Sequence, residues 1–182
     1  MQHIHIRPAT DSDGDGISAL MQEAFAEYDG CIFDRAAEFP ELDAIASYYS
    51  GRGGIIWVAE MDGFVVGSMA TAPTRDSDAP PGAWEMFKVY VAQSARRRGL
   101  ARRLYAKVLE RAQEAGSPEL RLWTDTRFLD AHRFYESCGF ERGGAPRPLY
   151  DLSSTFEFPY RLRLVPAASA SEPADTHASS ES

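Results

Sequence analysis

Polar and apolar residues alternate through His3–Arg7, and Pro8 closes the run, so the chain opens on a strand. From Ile17 to Tyr28 the interval lengthens. Ile17, Leu20, Met21, Ala24, Phe25 and Tyr28 recur at the spacing of one helix face. A loop follows, then a short helix around Glu41–Tyr49, ended by the GRGG at 51–54. Two β-rich runs, IIWVAE and FVVGSMATA, flank Met61–Gly63, and Asp-Gly between such runs marks a hairpin. PTRDSDAPPG is a loop by composition. AWEMFKVYV then reads as a strand with Glu85, Phe87, Val89 and Val91 on one face. Gly99–Gly116 places Leu100, Leu104, Val108 and Leu109 on the inner side of a helix. ELRLWTD is a strand, Asp130–Cys138 a short helix, Gly139-Phe140 the opening of a further strand, and Phe156–Val165 the last.

This order predicts an α/β (α+β) domain: one mixed, mostly antiparallel sheet of about six to seven strands with helices on both faces. The passage Trp84–Thr124, strand to helix to strand, is expected to be parallel with a right-handed crossover. At 182 residues the chain is long enough for one buried core, which the pattern assigns to residues 1–165. Residues 166–182, PAASASEPADTHASSES, carry too little apolar surface to pack and are expected to form a disordered tail.

Charge narrows the choice of partners. A net charge of −8 and a pI near 5.0 argue against a general nucleic-acid or anionic-membrane binder, which needs a broad basic face. MQHIHIRPAT lacks the features of a signal peptide, and no apolar run approaches the ~18 residues of a membrane span. Cys31 and Cys138 make neither a metal spacing nor a disulfide framework, although spacing alone does not forbid a bridge between them. A cytoplasmic protein is expected.

Against that acidic background RRRGLARR, residues 96–103, sets five arginines around one glycine. It could be a nucleic-acid patch, a solvated helix face, or the seat of a small polyanion. It sits where an apolar strand ends and a helix begins, and there the first helical turn leaves N–H groups without partners. Those donors and the positive end of the dipole hold an anion unaided. Gly99 lets the backbone approach it, Ala101 keeps the next turn small, and arginines add charge-assisted bonds.

The pattern Arg96-x-x-Gly99-x-Ala101 after VYV resembles the signature of the GNAT superfamily of acyl-coenzyme-A-dependent N-acetyltransferases. DAHRFYESCGFE, with Ala131, Phe134, Tyr135 and Gly139-Phe140, resembles the family's second element in the expected order. The likeness covers roughly residues 4–164. It implies acetyl-CoA as acyl donor and a small-molecule or protein amine as acceptor, with no metal and room for a homodimer. The pantetheine arm would bond to backbone near Val89 and Val91. The diphosphate would sit over Arg96, Arg97, Arg98, Gly99, Leu100, Ala101 and Arg102. Family members often carry Asn three residues before the motif alanine; here that residue is Phe128, so its contact is lost or supplied by Asp125 or Thr126.

Amide formation needs a base, because an alkylammonium of pKa about 10.4 leaves only roughly one free amine in a thousand at neutral pH. Glu85 lies mid-strand among apolar residues, eleven before Arg96, where the resemblance places a general base in some members. The alternative for Glu85 is an ion pair. Tyr135 matches the general acid that would protonate the leaving sulfur, the alternative being core packing. The N–H of Val89 or its neighbour would serve the oxyanion. Acceptor entry is expected over Tyr28–Phe39, whose Asp29, Asp34 and Glu38 could attract a cation.

Other signals carry less. DSDGDG at 11–16 begins like a calcium loop but has Gln22 where a bidentate Glu belongs, so its acids read as helix-capping groups. His3 and His5 lack a third ligand, His132 reads as packed or exposed, and Trp57, Trp84 and Trp123 read as core. No hydrolase elbow or Walker loop is present. The rival readings are a non-catalytic acyl-CoA sensor, which needs neither Glu85 nor Tyr135, and nucleic-acid binding through the arginines.

Overall fold

The computed structural model describes residues 3–165; the expected tail at 166–182 lies outside them. Among the described residues the expected elements appear in their expected order, and a helix at Arg35–Glu38 and a strand at Arg147–Pro148 are additional, making five α-helices and eight strands. The strands are β1 (Ile4–Pro8), β2 (Ile55–Met61), β3 (Phe64–Pro73), β4 (Trp84–Val91), β5 (Glu119–Asp125), β6 (Glu141–Arg142), β7 (Arg147–Pro148) and β8 (Phe156–Arg163). The helices are α1 (Gly14–Phe25), α2 (Arg35–Glu38), α3 (Ile45–Gly51), α4 (Leu100–Glu114) and α5 (Leu129–Ser137). One sheet runs β1-β2-β3-β4-β5-β8-β6, with β7 also on β8, and only β4–β5 is parallel.

Two apolar layers clothe the sheet. On one face Leu104 and Val108 of α4 pack with Met69, Met86, Leu120 and Leu122. On the other, Ile17 and Met21 of α1 meet Ile45 and Tyr49 of α3 over Val58 and Ala70. Gly67 on β3 is where α4 rests, because a Cβ there would stand 3.1 Å from Leu104 Cδ1 and 3.3 Å from Leu100 Cδ2. That close approach sets the start of α4 against the sheet.

Several boundaries move for local reasons. The first helix begins at Gly14 instead of Ile17 because Asp13 accepts the Thr10 N–H at 2.7 Å, closing a 3-10 turn that leads straight into it. Its end comes at Phe25, which frees Tyr28 to lie 4.7 Å from the Phe128 ring. The helix expected over Glu41–Tyr49 divides into a 3-10 segment at Pro40–Ala44 and α3. The unforeseen α2 is capped by Asp34, which accepts the Ala37 N–H at 3.0 Å. After Gly139 the expected strand shrinks to two residues, since Gly143 and Gly144 interrupt it.

The largest correction concerns β4. Glu85 and Phe87 do share a face, and Phe87 packs with the α1 and α3 layer. Val89 and Val91, expected beside them, pack with the α4 layer together with Met86. The parity flips at Lys88, which has φ +52°. The β3 register registers the same event: Ser68 faces Tyr90 but Ala70 faces Phe87, so an extra residue bulges from β4. Simple alternation cannot reveal a bulge, because it assumes one residue per pleat.

Candidate active site

Beyond the bulge, β4 and β5 part company. They pair only at Trp84–Leu120 and Glu85–Arg121, whereas β5 and β8 pair over seven positions, Glu119–Arg163 to Asp125–Glu157. The open wedge between β4 and β5 joins the two faces of the sheet. A cavity of about 390 Å³ lies at its α4 side, lined by Val89, Val91, Arg96, Gly99, Ala101 and Phe134 among others. A larger one of about 600 Å³ includes Glu85, Phe87, Asp125, Tyr135, Arg147 and Glu157. Val89, Tyr90, Phe128 and Ala131 line both, so the two are halves of one cleft.

The smaller half is made chiefly of backbone. Gly99 is the residue before α4 and has φ +70° and ψ +9°, a left-handed conformation that glycine adopts without cost. Nothing lies within 4 Å of where its Cβ would be, so the demand is conformational and the space before it is open. The N–H groups of Leu100, Ala101 and Arg102 open the helix and have no acceptor within it. Leu100 itself is buried in the core and pins the turn. Arg97, at φ +60°, and Gly99 are both exposed. These features suit a diphosphate.

The arginines of this stretch divide their work. Arg96 spans Glu27, with Nη1 donating at 2.7 Å, and donates from Nε to the Val91 carbonyl at 3.1 Å. Its own N–H is bonded to the Gln93 carbonyl at 3.2 Å, so the anion turn proper begins after it. Arg102 donates to Ser137 Oγ at 3.0 Å and ties α4 to α5. Arg103 donates to the Ile4 carbonyl at 3.2 Å. Arg98 is exposed. Several of these side chains therefore brace the elements around the turn.

The larger half is made of side chains. Glu85 is 8% exposed and accepts the Thr74 hydroxyl at 2.8 Å. Burial pushes its pKa above the ordinary carboxylate value; the Thr74 bond opposes the rise and Asp76 adds to it. No cation stands within ion-pair distance of Glu85 among the described residues, so the ion-pair alternative is not realised. Thr74 Oγ1 also accepts the Asp76 N–H at 3.2 Å, and Asp76 accepts Trp123 Nε1 at 2.8 Å. Trp123, expected in the core, instead lines this cavity, with the Arg147 guanidinium 3.8 Å from its ring centroid. Arg147 donates from Nε to Glu157 at 3.0 Å. Burial raises the Glu157 pKa while Arg147 opposes it.

Tyr135, on α5, reaches the cleft from the α4 face. It is 4% exposed, and burial pushes its pKa well up while a bond from the Thr124 hydroxyl works against the rise. Glu85 and Tyr135 therefore face one cleft from opposite sides of the sheet. Phe128 fills the place of the family's Asn with an aromatic wall, 6.1 Å from the Phe25 ring as well as packed on Tyr28. Asp125 lines the cavity but is held by Arg127 at 2.6 Å. His132 is packed, its Nε2 2.8 Å from the Asp125 carbonyl oxygen.

Of the acids expected at the entry, Glu38 lines the cavity and accepts the Leu152 N–H at 2.7 Å. Asp34 is spent as a cap, and Asp29 lies off the lining. Thr74, Trp123, Arg147 and Glu157 were missed. A buried-pattern charge on the last strand, Glu157 in FEFPY, was the one signal available for them. Of the acids of DSDGDG, Asp13 does cap, closing a capping box with Thr10 while also accepting from Arg7. Asp11 accepts from Ser47, and Asp15, in the first turn of α1, from Arg35. Both cysteines are free thiols, each with its pKa pushed up by burial. Among the described residues no group of three or more His, Cys, Asp or Glu is placed to hold a metal, and no helix is long and apolar enough to cross a membrane.

Comparison with known proteins agrees with this geometry. The family model for the acetyltransferase (GNAT) family matches residues 18–140. The uncharacterized N-acetyltransferase YjgM of Escherichia coli K12 is 33% identical over 138 residues, covering 75% of this chain and 81% of its own. Human N-acetyltransferase 8 is 36% identical over 102 residues, 56% of this chain; the match spans only 45% of the human protein. A GNAT-family acetyltransferase structure from Staphylococcus aureus Mu50 superposes with a TM-score of 0.75 at 20% identity, over 90% of this chain and all of that one. The yncA protein of Salmonella typhimurium, solved with its cofactor acetyl-CoA, gives 0.70 at 21% identity, over 91% of this chain and 96% of that one. Both share the fold. With its splayed β4 and β5, its glycine turn before α4, and the family match across both, the chain belongs to the GNAT family of acetyltransferases.

Proposed function

We propose that the protein moves an acetyl group from acetyl-CoA to a primary amine by direct attack, with Glu85 as general base and Tyr135 as general acid. The observation that supports this reading is the shared cleft, which has a helix start with N–H groups left unbonded by the helix on one side and, on the other, a buried carboxylate with no ion pair among the described residues. Acetyl-CoA, when bound, supplies an activated thioester. The N–H groups of Gly99, Leu100, Ala101 and Arg102 hold its diphosphate, and the open edge of β4 from Val89 to Val91 offers backbone groups to the pantetheine arm.

Glu85 takes the proton of the ammonium, directly or through water, and its raised pKa brings it nearer to the pH at which it works. Val89 lies where the bulge leaves β4 without a register partner on β3, which supports its N–H as the donor to the oxyanion. Tyr135, kept protonated by burial, donates its hydroxyl proton to the departing sulfur. The raised thiol pKa values of Cys31 and Cys138 favour direct transfer over an acyl-enzyme. Thiol release from acetyl-CoA with a broad amine panel tests the reading. Release with at least one amine, lost in Glu85→Gln, supports it; coenzyme binding with no acetylated amine in any case would replace it with the sensor.

A further inference from the structure

The larger cavity has an uneven treatment of charge. Its two lining cations are already answered: Lys88 Nζ stands 2.6 Å from Glu41 Oε1, and Arg147 Nη2 stands 2.9 Å from Glu157 Oε2. Glu85, by contrast, is buried and aimed into the cavity with a hydroxyl as its bonded neighbour. An acceptor bearing a carboxylate would have to draw Arg147 or Lys88 away from its partner, and would add a further carboxylate beside Glu85 and Glu157. An acceptor that is only a cation meets Glu85 without breaking a pair. Its body meets ring faces as well, because Phe25, Phe39, Phe128 and Trp123 line the same space, and such faces favour both apolar groups and cations.

From this contrast we infer that the acceptor is an amine without a carboxylate, a monoamine or diamine with an apolar body, and that the Arg147–Glu157 pair is what excludes the parent amino acids. The inference rests on the acetyl-transfer reading of the same cleft. The pair acts as a filter in a definite way. While Glu157 holds the guanidinium against the Trp123 ring, neither cation among the described lining residues is free for a substrate anion; Arg52 stacks on Phe87 from outside the lining. Specificity here comes from withholding an attractive partner and presenting a repulsive one.

The test uses acceptors matched in all but the carboxylate: tyramine with tyrosine, cadaverine with lysine, and agmatine with arginine. The ratio of kcat/KM within each pair, amine over amino acid, is measured by thiol release from acetyl-CoA. In the wild-type chain the ratio should exceed roughly tenfold for the preferred pair, the factor that 1.4 kcal/mol of discrimination provides. Glu157→Gln removes the nearer of the two carboxylates on Arg147, leaving only Asp76 at 3.8 Å, so the guanidinium can turn to a substrate carboxylate and the ratio should fall. Arg147→Gln leaves Glu157 as an unanswered anion and should raise it. Opposed shifts in two variants of one ion pair are not what a general loss of folding would give.

Equal rates within every pair, or faster acetylation of the amino acid, overturns the filter while leaving acetyl transfer intact. Ratios that move together in the two variants overturn it as well. Failure of the underlying reading looks different: no thiol release with any acceptor, and no change on Glu85→Gln.

Discussion

The two halves of the cleft are built on different principles. The half proposed for the coenzyme comes chiefly from one contiguous stretch, Val89 to Arg102, closed over by α5, and the donors it offers are main-chain N–H groups at a turn set by one left-handed glycine. The half proposed for the amine is lined by side chains on segments far apart in sequence: Phe25 on α1, Glu85 on β4, Trp123 on β5, Arg147 on β7 and Glu157 on β8, with Thr74 behind Glu85. A backbone site tolerates change in its side chains so long as the turn survives. A side-chain site can be rewritten one residue at a time. On the proposed reading, the contrast separates the part of the cleft that would hold the coenzyme from the part that would select the acceptor.

The comparison makes predictions that differ by half. The largest effect should come from Glu85→Gln, which lowers kcat/KM for the amine by about 10²- to 10⁴-fold, the span of general-base catalysis, without altering the coenzyme half. Its second signature is thermal. Burial raises the Glu85 pKa in the folded chain, so the fold binds that proton more tightly than the unfolded chain does. Stability tied to this group is full below the ordinary carboxylate pKa and is lost as pH rises through the folded value. Gln escapes that loss, and melting at neutral pH should therefore occur at a higher temperature in the variant than in the wild type.

Next in size is Tyr135→Phe. The ring keeps its contacts with Phe140 and Tyr160, at 6.2 and 5.7 Å, so the fold should persist. Loss of the hydroxyl should reduce kcat by about 10²-fold for a thioester donor, measured as thiol release at saturating substrates. Ala101→Glu attacks the opposite half by setting a carboxylate at the first turn of α4. The coenzyme Kd should rise by at least roughly tenfold, since like charge there opposes both the dipole and the exposed N–H donors. The smallest effect is expected from Thr74→Val. Removing the hydroxyl that steadies the Glu85 carboxylate sends its pKa further up, so the acidic limb of the kcat/KM profile should move to higher pH. A limb that stays in place would separate Glu85 from the proton transfer.

The same contrast explains what could be read from the chain. The element order and the glycine turn were legible because they are local: periodicity shows a helix face, and a strand followed by Arg96-x-x-Gly99-x-Ala101 shows where a helix begins. The bulge was not, because Lys88 looks like an ordinary strand residue and only the register with β3 exposes its left-handed backbone. Trp123 passed for core because its sequence neighbours are strand-like; its exposure to the cavity depends on β4 diverging from β5, which no local pattern encodes. Arg147 and Glu157 were invisible for a related reason. Their pairing is a cross-strand contact between β7 and β8, and a two-residue strand such as β7 leaves no period to detect.

Calorimetric titration of coenzyme A, run in parallel on the wild type, Ala101→Glu and Glu85→Gln, tests the two-part cleft most directly. A saturable heat of equal affinity in the wild type and Glu85→Gln, with markedly weaker binding in Ala101→Glu, is the predicted result. A wild-type chain that gives no binding heat even at millimolar coenzyme would contradict it.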